Sequence, residues 1–132
     1  MKTATKIALT IILLFTLSNS MAQQNGIIRK DLQTAFIDQN VKTVEIQQIS
    51  LPAGQTAPKH LHPCPVVGYI TSGTVLFQIE GKDAVILKEG DTFYEPKNVN
   101  ILHFDNASKE KSMSFIAFYL KMGDEPNIRV LH

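Results

Sequence analysis

From residue 41 onward the chain is a succession of short runs rich in Val, Ile, Phe, Tyr and Thr, cut about every ten residues by Gly, Pro, Asn or Asp. That rhythm leaves room for strands and little for helices. Strands are expected over Val41–Leu51, Thr56–His62, Val66–Thr71, Thr74–Glu80, Ala84–Lys88, Thr92–Glu95, Asn100–Asp105 and Met113–Lys121. Turn chemistry falls between them at Pro52-Ala53-Gly54, Ser72-Gly73, Gly81-Lys82-Asp83, Glu89-Gly90-Asp91 and Asn106-Ala107-Ser108. Val75, Phe77 and Ile79 alternate with Thr74, Gln78 and Glu80, the pattern of a strand with one buried face and one wet one. Only Ile27–Phe36 reads as a short helix. With no repeat, no low-complexity tract and no Gly/Ser linker, the expectation is a single all-β domain closed into a sandwich or barrel.

The N-terminus sets the compartment. Lys2 and Lys6 precede an apolar or hydroxyl run from Ile7 to Leu17, followed by the small and polar stretch Ser18-Asn19-Ser20-Met21-Ala22. This is the layout of a secretory signal peptide over residues 1–22, leaving a domain over 23–132 and placing the protein in the periplasm or outside the cell. A run of that length is too short for the roughly 30 Å of a membrane core. Of thirteen basic residues two lie in this leader, so the mature chain carries eleven against twelve acidic groups, a formal charge of −1. Such a balance gives no reason to expect nucleic acid or an anionic membrane as partner. With Cys64 alone, an internal disulfide is impossible, and stability falls to packing, metal or subunit association.

Met113–Lys121 is apolar on both parities, with Phe115, Ala117 and Tyr119 on one side and Ile116, Phe118 and Leu120 on the other. Both faces therefore need cover, from a second layer of the same barrel or from a second subunit in a homodimer.

Chemistry concentrates between Gly54 and Gly73. His60 and His62 are one residue apart, and on an extended strand such positions project to one face about 6.6 Å apart, close enough for two imidazoles to meet one ion. His-x-His alone is a weak signal, since two solvated surface histidines look the same. Tyr69, Phe77, Phe93, Tyr94 and Phe104 are candidates for a pocket wall or for plain core. Cys64, pinned between Pro63 and Pro65, reads as a small half-buried residue more readily than as a ligand or redox thiol. No glycine-rich phosphate loop or nucleophile elbow stands out.

The spacing resembles the cupin superfamily over essentially the whole mature chain. Its first motif runs glycine, five residues, His-x-His, three or four residues, glutamate, six residues, glycine; Gly54, His60, His62 and Gly73 fit, and Val66 takes the glutamate's place. Its second motif runs glycine, five residues, proline, then glycine, histidine and asparagine; Gly90 and Pro96 fit, Asn98 takes the glycine's place and Ile101 the histidine's. His103, Asp105 and Asn106 follow. The resemblance implies a single-domain double-stranded β-helix barrel, jelly-roll-like, with a divalent metal ion (Zn, Fe, Ni, Mn or Cu) held by barrel histidines and a small-molecule ligand or substrate. Two of the usual four ligands are missing, and two repairs are open. His103 shares strand parity with residue 101 and can supply an imidazole in its stead, or Glu95 can turn inward and restore a carboxylate. The candidate metal residues are therefore His60, His62, His103 and Glu95. The function expected is a metal-dependent oxygenase or isomerase acting on a small oxygenated molecule, or a non-catalytic binder built on the same barrel.

Overall fold

The computed structural model describes residues 26–132, and the leader expected over 1–22 lies outside them. Residues 31–132 form one compact unit, and all the strands lie in it. Nine strands follow one another along it: β1 (Thr43–Leu51), β2 (His60–Leu61), β3 (Val66–Ser72), β4 (Thr74–Ile79), β5 (Val85–Lys88), β6 (Thr92–Glu95), β7 (Ile101–Asn106), β8 (Met113–Lys121) and β9 (Arg129–Val130). They pair antiparallel in two sheets, one ordered β1-β8-β3-β6 and the other β5-β4-β7-β2-β9. The architecture is the all-β double-stranded β-helix expected from the sequence.

Two expected elements differ. The helix over Ile27–Phe36 does not form; the chain there carries no regular structure. Instead the carbonyls of Leu32 and Phe36 accept hydrogen bonds from the Thr92 and Tyr94 hydroxyls, and the Gln39 amide donates to the Leu120 carbonyl. The run expected over Thr56–His62 shrinks to two residues, because Pro58 has no N–H for a ladder and β2 takes up pairing only beyond it.

Alternation along the strands decides what faces in. On β8 Met113, Phe115, Ala117 and Tyr119 are buried, while Ser114, Ile116, Phe118 and Leu120 are half-buried on the outer side. On β6 Phe93 and Glu95 are buried and Thr92 and Tyr94 are not. Inside the barrel Phe77, Phe93, Phe104 and Phe115 pack edge to face or tilted, with centroids 4.6–6.2 Å apart. Asn106, at the end of β7, is buried and its side-chain amide donates to the carbonyls of Leu51, Pro52 and Lys111, tying the loop after β1 to the loop before β8.

The turn after β6 shows how the second motif survives a substitution. Asn98, in the glycine's place, has φ +58°, the left-handed region where glycine is at ease and asparagine is the best tolerated alternative. Its amide N–H donates to the His62 carbonyl at 2.8 Å, so this turn holds the chain just beyond β2. Asn98→Ala is expected to cost about 1 kcal/mol and Asn98→Gly to cost nothing or to stabilise slightly, read from urea unfolding midpoints. Equal midpoints for alanine and asparagine would contradict this.

Candidate metal centre

His60 stands on β2 opposite Ile101 of β7, and His62 follows two residues later. Both rings are buried, with centroids 5.0 Å apart and planes near perpendicular. Each Nδ1 faces a backbone carbonyl, Pro58 at 2.8 Å for His60 and Asn127 at 2.5 Å for His62. A carbonyl only accepts, so both Nδ1 atoms carry the proton and both Nε2 atoms are turned to the interior.

What they meet there is Glu95. Its Oε2 lies 3.0 Å from His62 Nε2 and its Oε1 4.0 Å from His60 Nε2. The carboxylate enters from β6 because Phe93, two residues earlier, faces the core, and strand parity carries Glu95 to the same side. Glu95 also sits directly opposite Val66 of β3, the position where the first motif has its glutamate. The carboxylate missing at 66 is thus supplied from the neighbouring strand, one cross-strand spacing of about 5 Å away.

His103 is not brought to this group. Its side chain is 44% exposed, and its Nδ1 bonds the Asp105 carboxylate at 2.7 Å, whose other oxygen accepts the Ala57 N–H. The shared parity expected for residues 101 and 103 fails at a β-bulge. Ile79 pairs with Ile101 but Gln78 pairs with His103, so one extra residue is inserted in β7. Past the bulge the inward positions are Phe104 and Asn106, opposite Phe77 and Val75, and His103 is turned outward. Among the described residues, the grouping of side chains able to hold a metal is His60, His62 and Glu95, whose ligand atoms all lie within 4.8 Å of one another.

The donor set fits an ion. Glu95 is almost fully buried, and its Oε1 has no hydrogen-bond partner, which is costly unless something further binds there. His62 has an acceptor at both nitrogens, an arrangement satisfied by a second ring proton or by a cation in that proton's place. Burial by itself would lower the His62 pKa, but its hydrogen bond to Glu95, the charge of Glu95 and the Asn127 carbonyl outweigh that and hold it above the ordinary 6.5. Tyr119, opposite Val66 on β8, packs its ring 5.8 Å from that of His62. Burial, helped by the Glu95 charge, pushes its hydroxyl up to about 12, so it stays neutral.

Beside the group is a cavity of about 190 Å³, walled mainly by Ile49, Leu51, Ala57, Phe104, Phe115 and Ile128. Of the aromatic residues considered for a pocket wall, Phe104 lines it. Phe77 and Phe93 belong to the core, and Tyr69 and Tyr94 point to the outer side. Cys64 is fully buried and outside the His/His/Glu group, and burial raises its thiol pKa, so it has little thiolate character. Asn127 and Ile128 were not legible as site residues, because nothing in their local sequence distinguishes them from a tail.

Two antiparallel sheets with two histidines and a carboxylate converging near an apolar cavity define a small β-sheet barrel whose interior group is able to hold a metal ion. Residues 47–119, more than half of the chain, match the cupin domain, and the chain belongs to the cupin family. An uncharacterized protein of Methanocaldococcus jannaschii is 33% identical over 76 residues, covering 56% of this chain and 66% of that protein. Among solved structures, a cupin-like protein from Thermotoga maritima superposes with a TM-score of 0.58 at 26% identity, covering 67% of this chain and 64% of that one. The DMSP lyase DddQ from Ruegeria pomeroyi gives 0.58 at 20% identity, covering 66% of this chain and 42% of that one, a likeness of fold alone. The chain thus spans just under two thirds of the first two proteins' length and less than half of the lyase's.

Proposed function

We propose that this is an exported cupin that holds one divalent metal ion through His60, His62 and Glu95 and binds a small oxygenated organic molecule beside it. The orphaned, buried Oε1 of Glu95, within 4.8 Å of two imidazole nitrogens, is the observation that carries the reading. Two histidines and one carboxylate with further positions open are the donor set of non-haem ferrous oxygenases, and Lewis acidity or oxygen chemistry is what such an ion supplies when bound. The chain's own residues do the rest. His60 and His62 present Nε2 because backbone carbonyls hold Nδ1, and the apolar wall excludes water and receives the ligand's carbon body. A cavity of about 190 Å³ falls below the roughly 300–1,000 Å³ of pockets for drug-sized ligands, which favours a compact molecule with a single polar end. Val66 and Ile101 in place of two family ligands favour the second reading, a non-catalytic binder of metal or small molecule. The half-buried outer residues Ile116, Phe118 and Leu120 of β8, beside exposed Val44 and Ile46 of β1, support a homodimer.

Elemental analysis of protein purified without chelator or histidine tag, followed by Co²⁺ titration, tests the metal. About one ion per chain is expected, and none, with no Co²⁺ uptake, would remove the reading. Oxygen consumption by the iron-loaded protein with small diketones or enols separates enzyme from binder. The pH dependence has a fixed sign. A raised His62 pKa stabilises the metal-free fold fully below the ordinary histidine value, and that contribution is lost as pH rises from 6.5 through the raised folded value. Metal binding must displace the His62 proton, so it strengthens over the same window. The metal-free melting temperature should therefore decline with rising pH while the gain on adding Zn²⁺ grows; a gain that shrinks toward neutral pH would contradict the assignment.

A further inference from the structure

The residues that complete the centre from outside lie beyond the stretch that matches the cupin domain. That stretch ends at residue 119, and after it the chain turns at Met122 and Gly123, whose N–H groups both donate to the Glu125 carboxylate. It then crosses His62 with the Asn127 carbonyl, contributes Ile128 to the cavity wall, and pairs as β9 with β2 through Val130 opposite His60 and Arg129 opposite Leu61. Asn127 is itself fastened, since its side-chain amide donates to Glu45 Oε1 at 2.6 Å. Glu45, also outside the matching stretch, stands on β1 opposite Tyr119 and takes Lys121 Nζ at 3.3 Å on its other oxygen.

We infer that this C-terminal strap is part of the metal site, with Asn127 as a positioning residue that fixes His62 and Glu45 as the latch that holds Asn127 in place. An imidazole free to turn offers either nitrogen to an ion, and an acceptor held at Nδ1 leaves Nε2 as the ligand atom. For His60 that acceptor, Pro58, is two residues away in the same segment, whereas for His62 it comes from 65 residues further along the chain. Its placement therefore depends on tertiary contacts, and the Glu45–Asn127 bond fastens the residue that carries it. Hydrogen bonding by Asn127, with Lys121 adding to it, holds the Glu45 carboxyl below its ordinary range, so the latch acceptor stays ionised at neutral pH. Loss of a partner that orients a ligating histidine typically weakens metal binding about 10–100-fold.

The inference rests on the proposed metal site, and its test includes a measurement that needs no metal. Glu45→Ala, Asn127→Ala, the double variant and Glu45→Gln are compared with the wild-type chain. In metal-free protein below neutral pH, proton NMR is expected to show the His62 Nδ1–H as a slowly exchanging low-field resonance. That signal should be lost in both alanine variants and kept in Glu45→Gln, whose carbonyl still accepts from Asn127. Co²⁺ affinity should fall about tenfold or more in each alanine variant, with the double variant little worse than either single one, and stay near wild type in Glu45→Gln. An unchanged resonance together with Co²⁺ affinity within about twofold in Asn127→Ala overturns the strap's role. No Co²⁺ uptake by the wild-type chain together with loss of the resonance in the alanine variants refutes the metal reading and leaves the strap as the element that orients His62.

Discussion

Glu95→Gln is expected to weaken divalent metal binding by more than about 100-fold, beyond the loss from removing a partner that merely orients a ligand. The amide keeps the size of the side chain and takes away the only charge in the donor group. The metal-free fold should hardly notice. Breaking a buried ion pair costs about 3–5 kcal/mol when a charge is left stranded, but His62 can release its proton and become neutral. Its pKa, raised by Glu95 against the opposing effect of burial, should then drop below the ordinary value, and the stability change should stay within about 1 kcal/mol. The stronger test moves the carboxylate. Glu95 and Val66 face each other across β6 and β3 on the interior side, so Val66→Glu combined with Glu95→Val returns the charge to the family's own position. That double variant should regain most of the affinity that Glu95→Val alone loses, measured by Co²⁺ competition titration. If the double variant binds no better than Glu95→Val, the two positions are not equivalent and the relocation argument is wrong.

The strands and the inward turn of Glu95 were legible because they depend on local periodicity. Phe93 inward implies Glu95 inward, and β8 and β6 keep the bounds that alternation and turn residues suggest. His103 shows where such reasoning ends. A bulge is decided by how two strands meet, here Gln78/Ile79 against a three-residue stretch of β7, and nothing in Ile101-Leu102-His103 announces it. The segment 27–36 failed for a related reason. Its carbonyls at Leu32 and Phe36 accept from Thr92 and Tyr94, contacts spanning 60 and 58 residues that no local pattern announces. Asn127 and Glu45 were invisible because their part in the site is a contact across 82 residues.

Gly68→Ala is expected to destabilise the protein by about 3 kcal/mol or more, a large effect for one methyl group. Gly68 sits on β3 between Phe93 of β6 and Ala117 of β8. A Cβ there would lie 2.1 Å from Phe93 Cζ, 2.3 Å from Cε1 and 2.6 Å from the Ile116 carbonyl oxygen. The ring cannot simply swing aside. Phe93 is 2% exposed and held by Phe77, Phe104 and Phe115 at centroid distances of 6.2, 4.9 and 5.7 Å. The Ile116 oxygen is backbone within β8 and yields still less. Phe104 and Phe115 are also part of the cavity wall beside His60, His62 and Glu95, so a displaced Phe93 presses on the cavity through them. Phe93→Ala alone should cost about 3–5 kcal/mol through the cavity it leaves, yet it removes the ring that the new methyl strikes. The pair should therefore be non-additive, with Gly68→Ala/Phe93→Ala less destabilised than the two single losses combined by about 1–3 kcal/mol. Part of the penalty should persist through the Ile116 contact. Urea unfolding of the four proteins measures this directly, and a Gly68→Ala midpoint equal to that of the wild type would mean that the interior near Phe93 is looser than its packing implies.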